Sequence, residues 1–437
     1  MLERTARALT QGRFSAEVAE PPHPLESFLA SNPEVRLIRL QWQDFTGILR
    51  ARICPISHLL ETMKSKKTIN IVGIALQAIG TSGYIPGFDI TWRNAFHPCW
   101  TTLRRTVKPN SRRLDYASVM CEISQRPSAD AAEDFEFCPR RALRNVVQRA
   151  AERHGIRLLV GFEIEFMIVQ LSPGSVGLRQ PAYALVEECL SALMDHGVRF
   201  QSVHTEGSGA QFEISLAPRP PIEAVDELLF VQDTIKTLVA QHGYHATMSP
   251  KRFFNRPASG LHTHVSITPA DQEDKLLAGI LERLPMICAF TLPYPASYHR
   301  VKQVEAGETV CWGSQNRKCP VRKIGAGHFE VRCVDATACL FLAVAVLIGA
   351  GLLGIQNGES LRWPDVTVTP PEMLPSSKRL PRSLEEALGL VERHRGGLEE
   401  IVDSKTIGHY LLIKKHQMTK LQDMDSAQVE RMYVEQF

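Results

Sequence analysis

Four short segments of the chain pair an apolar face with a face of chemically active side chains. Residues 160–169 (VGFEIEFMIV) alternate, with Phe162, Ile164, Phe166 and Ile168 on one side and Glu163 and Glu165 on the other. In a strand these two carboxylates stand about 7 Å apart on the same face. Residues 210–216 (AQFEISL) put Gln211, Glu213 and Ser215 together, with Glu206 just before them at a Gly-Ser-Gly turn. Residues 261–267 (LHTHVSI) align His262, His264 and Ser266, and residues 329–333 (FEVRC) pair Glu330 with Arg332.

Half-solvated strands usually mix Lys and Thr into their outer faces. Here the outward set is dominated by glutamate and histidine. Five carboxylates gathered on one surface repel one another unless cations neutralise them. Oxygen ligands with one or two imidazoles suit Mg²⁺ or Mn²⁺ better than zinc. A second group is cationic: Arg300, Arg317, Arg322 and Arg332, with Lys251 and Arg252 upstream. The planar guanidinium fork matches carboxylate and phosphate. Divalent metals together with arginines describe phosphoryl transfer from a nucleotide, where positioning and charge neutralisation do most of the catalysis.

These segments need a framework to hold them. The chain has 437 residues, 44% of them hydrophobic and 22% charged, which is ordinary for a globular protein with a large core. A net charge of +3 carries no nucleic-acid signature. The ten cysteines are scattered without C-x-x-C spacing, which fits reduced thiols in the cytoplasm.

Two apolar blocks are expected: a tail at 1–24, a first domain at 25–123, a polar linker at 124–136 and a second domain at 137–437. In the first, residues 35–42 and 48–53 read as strands joined by a hairpin turn that displays Asp44 to solvent. In the second, helical periodicity runs over 140–154 with Gly155 as the stop, and again over 223–242. Ser383 and Glu386 form a capping box for a later helix. Residues 338–355 hold no charge, but their glycines and their unanchored end favour a buried core helix over a membrane span. The G-x-G-x-x-G at 349–354 lacks the helix that a dinucleotide fingerprint needs after it. Helices interleaved with strands at irregular spacing indicate an α+β fold.

The ordered motifs GFEIEF, EGSGAQFE, SGLHTHVS, SYHR, NRKCPVR and HFEVRCVD resemble glutamine synthetase, from the Asp44 hairpin to the C-terminal helices. The wording around Glu330 (EVRCVDATA) and Trp312 is closest to fungal FluG-type proteins of that family. The resemblance implies an N-terminal β-grasp domain and a C-terminal catalytic domain with a curved antiparallel sheet and flanking helices. It implies homo-oligomeric rings with sites between neighbouring subunits. It also implies ATP as substrate and two or three Mg²⁺ or Mn²⁺ ions.

By motif position, Glu165, Glu206 and Glu213 would hold one metal, and Glu163, His262 and Glu330 another. His264, Ser266 and Lys251 fall near the nucleotide. Arg317 and Arg322 fall on the transferring phosphate, and Arg300 and Arg332 on the substrate carboxylate. Asp44 matches a base for the incoming ammonium, and Glu305 the glutamate of a mobile flap. The reaction implied is amide formation from a small acid and ammonia or an amine through an acyl phosphate. Several pocket positions depart from the family pattern: Pro257, Ala258, His328, Cys339 and a flap one residue short. These departures leave an acid or amine other than glutamate and ammonia at least as strongly indicated as glutamine formation itself, with an inactive scaffold as the alternative.

Overall fold

The computed structural model describes residues 23–437 apart from 77, 80–82, 84, 86–92, 109–113, 127–133, 170–178, 208–209, 251–257, 303–306, 370–377, 401 and 403. The first unit runs α1 (Pro24–Ser31), β1 (Leu37–Gln43), β2 (Leu49–Pro55), α2 (Ile56–Lys64), β3 (Ile69–Val72), β4 (Arg93–Pro98), β5 (Arg104–Arg105) and β6 (Tyr116–Arg126). Its sheet has the order β2-β1-β6-β4-β3, with β5 beside β6. The β1–β6 pair is parallel and the other pairs are antiparallel.

The expected hairpin is present, with Gln43 opposite Leu49. Its tip does not face solvent. Asp44, Phe45 and Thr46 are buried, and Gly47 (φ +87°) lies so close to the second unit that a Cβ would collide with the Thr337 carbonyl oxygen. Gln43 completes the docking: its Nε2 donates to the Ala338 carbonyl (3.1 Å), and its Oε1 accepts from the Leu340 amide (2.7 Å).

Strand β6 also runs past the expected domain end at 123. Ser124 is buried, with its hydroxyl paired to His97 Nε2 at 2.7 Å, and Gln125 and Asp134 exchange both backbone hydrogen bonds. The polar stretch therefore begins inside the sheet.

The second unit continues with α3 (Pro139–His154), β7 (Arg157–Val169), α4 (Pro181–Asp195), β8 (Phe200–Glu206), β9 (Gln211–Leu216), α5 (Pro221–Gln241), β10 (His245–Thr247) and β11 (Leu261–Thr268). Next come α6 (Glu273–Thr291), α7 (Tyr298–Lys302), β12 (Trp312–Ser314), β13 (Val321–Gly325), β14 (His328–Val331) and α8 (Leu340–Gln356). The chain ends with α9 (Leu384–His394), α10 (Gly396–Glu399), α11 (Ser404–Gln422) and α12 (Ser426–Gln436). The sheet order is β12-β13-β14-β11-β7-β9-β8, with β10 also on β7. It is mixed rather than wholly antiparallel, because β12 and β13 run parallel.

Local signals explain the helices. Proline opens α3, and Gly155 ends it in the left-handed conformation (φ +64°), which costs a glycine little. Ser383 caps α9 by accepting from the Glu386 amide, while the Glu386 side chain reaches Arg382 N instead of closing the box on Ser383. Helix α8 is buried from Leu340 to Gly354 and packs across α6. Its glycines serve that crossing: a Cβ on Gly354 would stand 2.7 Å from Gly279 Cα. Among the described residues, no helix is long and apolar enough to cross a membrane.

Candidate active site

Strand register stacks the chemical side chains in neighbouring rows on one face of the second sheet. Arg322 lies opposite Glu330, and Glu330 opposite His264. In the next row His262 lies opposite Glu163, which faces Ser215 on its other side. A third row sets Glu165 opposite Glu213 and Glu213 opposite His204. The two-residue repeat of each strand turns its apolar partners, such as Phe162, Ile164 and Phe212, into the core behind.

The rows close into one cluster. His262 Nδ1 lies 3.1 Å from Glu163 Oε2 and 3.4 Å from Glu330 Oε1, and its Nε2 lies 3.6 Å from Glu165 Oε1. His264 stands 3.1 Å from Glu163 Oε1 through Nε2 and 3.0 Å from His328 Nε2 through Nδ1. Glu165 Oε2 accepts from the Gly260 amide at 2.8 Å. Gly260 must be glycine, since a Cβ there would stand 3.1 Å from Glu165 Oε1 and strike the Arg300 guanidinium.

The electrostatics follow from this crowding. Burial pushes Glu163 up, but hydrogen bonds and charge from His262 and His264 outweigh it and hold the carboxyl far below its usual range. Burial likewise acts on Glu330, where His262, Arg332 and Arg322 win and lower it. At Glu213 the opposing charge of Arg317 is too weak to win. Burial and repulsion from Glu163, Glu165 and Glu206 push it up to about 8.

A divalent cation suits these residues. Glu163, His264 and Glu330 bring ligand atoms within 4.8 Å of one another, as do Glu163, Glu213 and His262, so Glu163 is common to both groups. His264 Nε2 is out of solvent beside Glu163 Oε1. A carboxylate oxygen and an imidazole nitrogen held this close form a donor pair that a divalent cation could take up. These groups set His264 beside Glu163 and Glu330.

The arginines divide in two. Arg322 Nη1 donates to Glu330 Oε2 (2.9 Å) and its Nη2 to Gln315 Oε1 (2.8 Å), and Arg332 is paired with Glu330. Arg317 is exposed on the β12–β13 loop, close enough for its charge to act on Glu213. Arg300, expected on the substrate, is buried and donates to the Val334 (2.6 Å) and Arg332 (3.3 Å) carbonyls. Its position makes it a support for the segment that carries Arg332. Ser266 sits on β11 opposite His328. Lys251 and Glu305 lie outside the described residues.

Asp44 is the clearest correction. Its side chain is fully buried, Oδ1 accepts from Thr46 N (2.8 Å), Thr46 Oγ1 (2.7 Å) and Ile48 N (3.1 Å), and Oδ2 accepts from Arg50 Nε (2.6 Å). A short polar side chain that bonds its own turn holds the hairpin together. The carboxylate expected to be displayed at this turn is buried and hydrogen-bonded at both oxygens.

His204 was missed by sequence reasoning. Its Nε2 lies 3.1 Å from Glu206 and 3.7 Å from Glu213. The signal was the two-residue spacing to Glu206, hidden because β8 has no clean apolar alternation.

The catalytic-domain family of glutamine synthetase matches residues 136–433, and the chain belongs to that family. It is 30% identical to Protein fluG of Emericella nidulans over 98% of this chain and 52% of that protein, so it spans about half the length of that relative. A gamma-glutamylpolyamine synthetase of Streptomyces coelicolor is 27% identical over 68% of this chain and 72% of its own. A solved glutamine synthase homolog superposes with a TM-score of 0.77 at 24% identity, covering 92% of this chain and 99% of that one.

Proposed function

We propose that the protein is an ATP-dependent carboxylate–amine ligase that forms an amide through an acyl phosphate. The observation that carries this reading is the continuous carboxylate–imidazole cluster across β8, β9, β7, β11 and β14, rimmed by Arg317, Arg322 and Arg332. Glu163, Glu165, Glu206, Glu213, His262 and Glu330 would hold two or three divalent ions, with His264 beside them. When bound, Mg²⁺ or Mn²⁺ supplies charge neutralisation for the phosphates and the attacking oxygen.

The chain's own groups do the rest. Arg332 orients the acid's carboxylate toward the γ-phosphate, and Arg317 and Arg322 take up charge on the transferring phosphoryl group. Ser266 and Lys251 bind the nucleotide, and Glu305 covers the intermediate. The carboxylate oxygen attacks the γ-phosphorus and ADP leaves; the amine then attacks the acyl carbon, phosphate leaves, and the amine's proton passes to solvent. We assign an amine larger than ammonia, or an acid other than glutamate, on the altered positions Pro257, Ala258 and His328. The similarity to a gamma-glutamylpolyamine synthetase supports that choice. Ring assembly and a cytosolic location complete the reading; the ten free thiols fit a reducing compartment.

The test is phosphate release from ATP with Mg²⁺ or Mn²⁺ across paired acids and amines, glutamate with ammonia included. Turnover with any pair supports the ligase, and the pair identifies its substrates. No turnover, together with no metal-dependent ATP binding, would establish the scaffold instead.

A further inference from the structure

The two units meet along a cleft of about 590 Å³ whose lining includes none of the cluster side chains. Gln41, Ser118 and Met120 of the first sheet form one wall, and α5 forms the other with Ile222 and Phe230. The size falls within the range of small-molecule sites, and the lining mixes charged and polar side chains with Leu103, Met120, Ile222 and Phe230.

Most charges at this seam are matched. Arg140 is bidentate to Asp226 (3.0 and 2.7 Å), Arg219 pairs with Glu227 (2.7 Å), and Arg144 with Glu122 (2.6 Å). Arg104 differs. Its guanidinium lies 3.8 Å above the Phe230 ring and donates to the His196 carbonyl at 2.7 Å. Among the described residues no carboxylate lies within ion-pair distance of it. Burial, with the Arg219 charge, pulls its pKa below the ordinary arginine value although the charges of Glu227 and Asp226 oppose the shift.

We propose that this cleft is a second ligand site, for a small organic carboxylate, with Arg104 binding the carboxylate and Leu103, Met120 and Ile222 covering its apolar body. Gln41 and Ser118 stand in the same wall as polar partners. The planar guanidinium favours a carboxylate, and the apolar side chains set among the polar lining favour an organic anion over a bare inorganic one. The site touches the catalytic sheet: Arg219 exchanges both backbone hydrogen bonds (2.8 and 2.9 Å) with Val160 on β7, the strand that carries Glu163.

Calorimetric titration of the full chain with glutarate, phenylacetate and inorganic phosphate tests the site. Saturable binding of a carboxylate is expected, at least tenfold weaker in Arg104→Gln and unchanged in Arg332→Gln. The second variant separates the cleft from the metal cluster. The proposal fails if no carboxylate saturates below about 10 mM, if Arg104→Gln binds like wild type, or if Arg332→Gln abolishes binding. Saturation by phosphate alone overturns the carboxylate assignment. Should Arg104→Gln melt early, Phe230→Leu takes its place: it keeps every charge and removes the ring under the guanidinium. Weaker binding then supports the site, and unchanged binding overturns it.

Discussion

Replacing Asp44 separates a structural carboxylate from a catalytic one. Its Oδ1 accepts three hydrogen bonds from Thr46 and Ile48, and its Oδ2 accepts one from Arg50, all with the side chain out of solvent. Asp44→Ala strands the donors of Thr46, which is itself buried. A hydrogen bond to a charged group contributes about 1.5–3 kcal/mol, and each stranded buried donor costs about 1–3 kcal/mol. These terms overlap rather than add, so the expected loss is about 4 kcal/mol, in the range for breaking a buried pair. Asp44→Asn keeps the Oδ1 acceptor and loses only the charge toward Arg50, for about 1–2 kcal/mol.

Equilibrium urea unfolding followed by tryptophan fluorescence should show a lower midpoint with an unchanged slope for both variants. The asparagine protein should keep most of its ligase activity at temperatures where it is folded. Two results would refute the reasoning. One is Asp44→Ala within about 0.5 kcal/mol of wild type. The other is a stable Asp44→Asn protein that makes acyl phosphate but no amide.

Three further outcomes are expected. Glu330→Ala, which removes the partner of Arg322, Arg332 and His262, should lower ATP turnover about 100-fold or more; unchanged turnover in the phosphate assay would discard the metal cluster. Gly354→Ala should destabilise by about 3 kcal/mol in urea unfolding, because its Cβ would meet the backbone of Lys275 and Gly279; a neutral result would mean the helices separate freely. Lys414 is buried, and burial pulls its pKa down to about 7 from 10.5 although Asp44 opposes the shift. A lowered folded value means that its contribution is full above pH 10.5 and is lost as pH falls toward 7. Lys414→Met should therefore gain on wild type between those limits as pH drops, read from unfolding midpoints at each pH; parallel curves would remove the assignment.

Much of the site was legible because its signals are local. Alternation in residues 160–169, 210–216, 261–267 and 329–333 put Glu163, Glu165, Glu213, His262, His264 and Glu330 on outward faces, and β7, β9, β11 and β14 carry them so. Proline and glycine at the ends of α3, and the serine before α9, act within one helical turn of themselves. The charge-free run of α8 had to be buried somewhere, and it lies against α6.

Other features depend on partners distant in the chain. Nothing near Asp44 tells that its hairpin will dock on residues 337–340, which turns a displayed turn residue into a buried one. Nothing near Arg300 tells that its guanidinium will be buried against the Val334 and Arg332 carbonyls. The parallel pairs β1–β6 and β12–β13, the place of His204 beside Glu213, and the cleft around Arg104 all arise from register between separate segments. Periodicity decides which face of a segment is polar. Only the pairing of segments decides which polar faces meet, because that choice is made by packing and hydrogen bonding across the whole sheet.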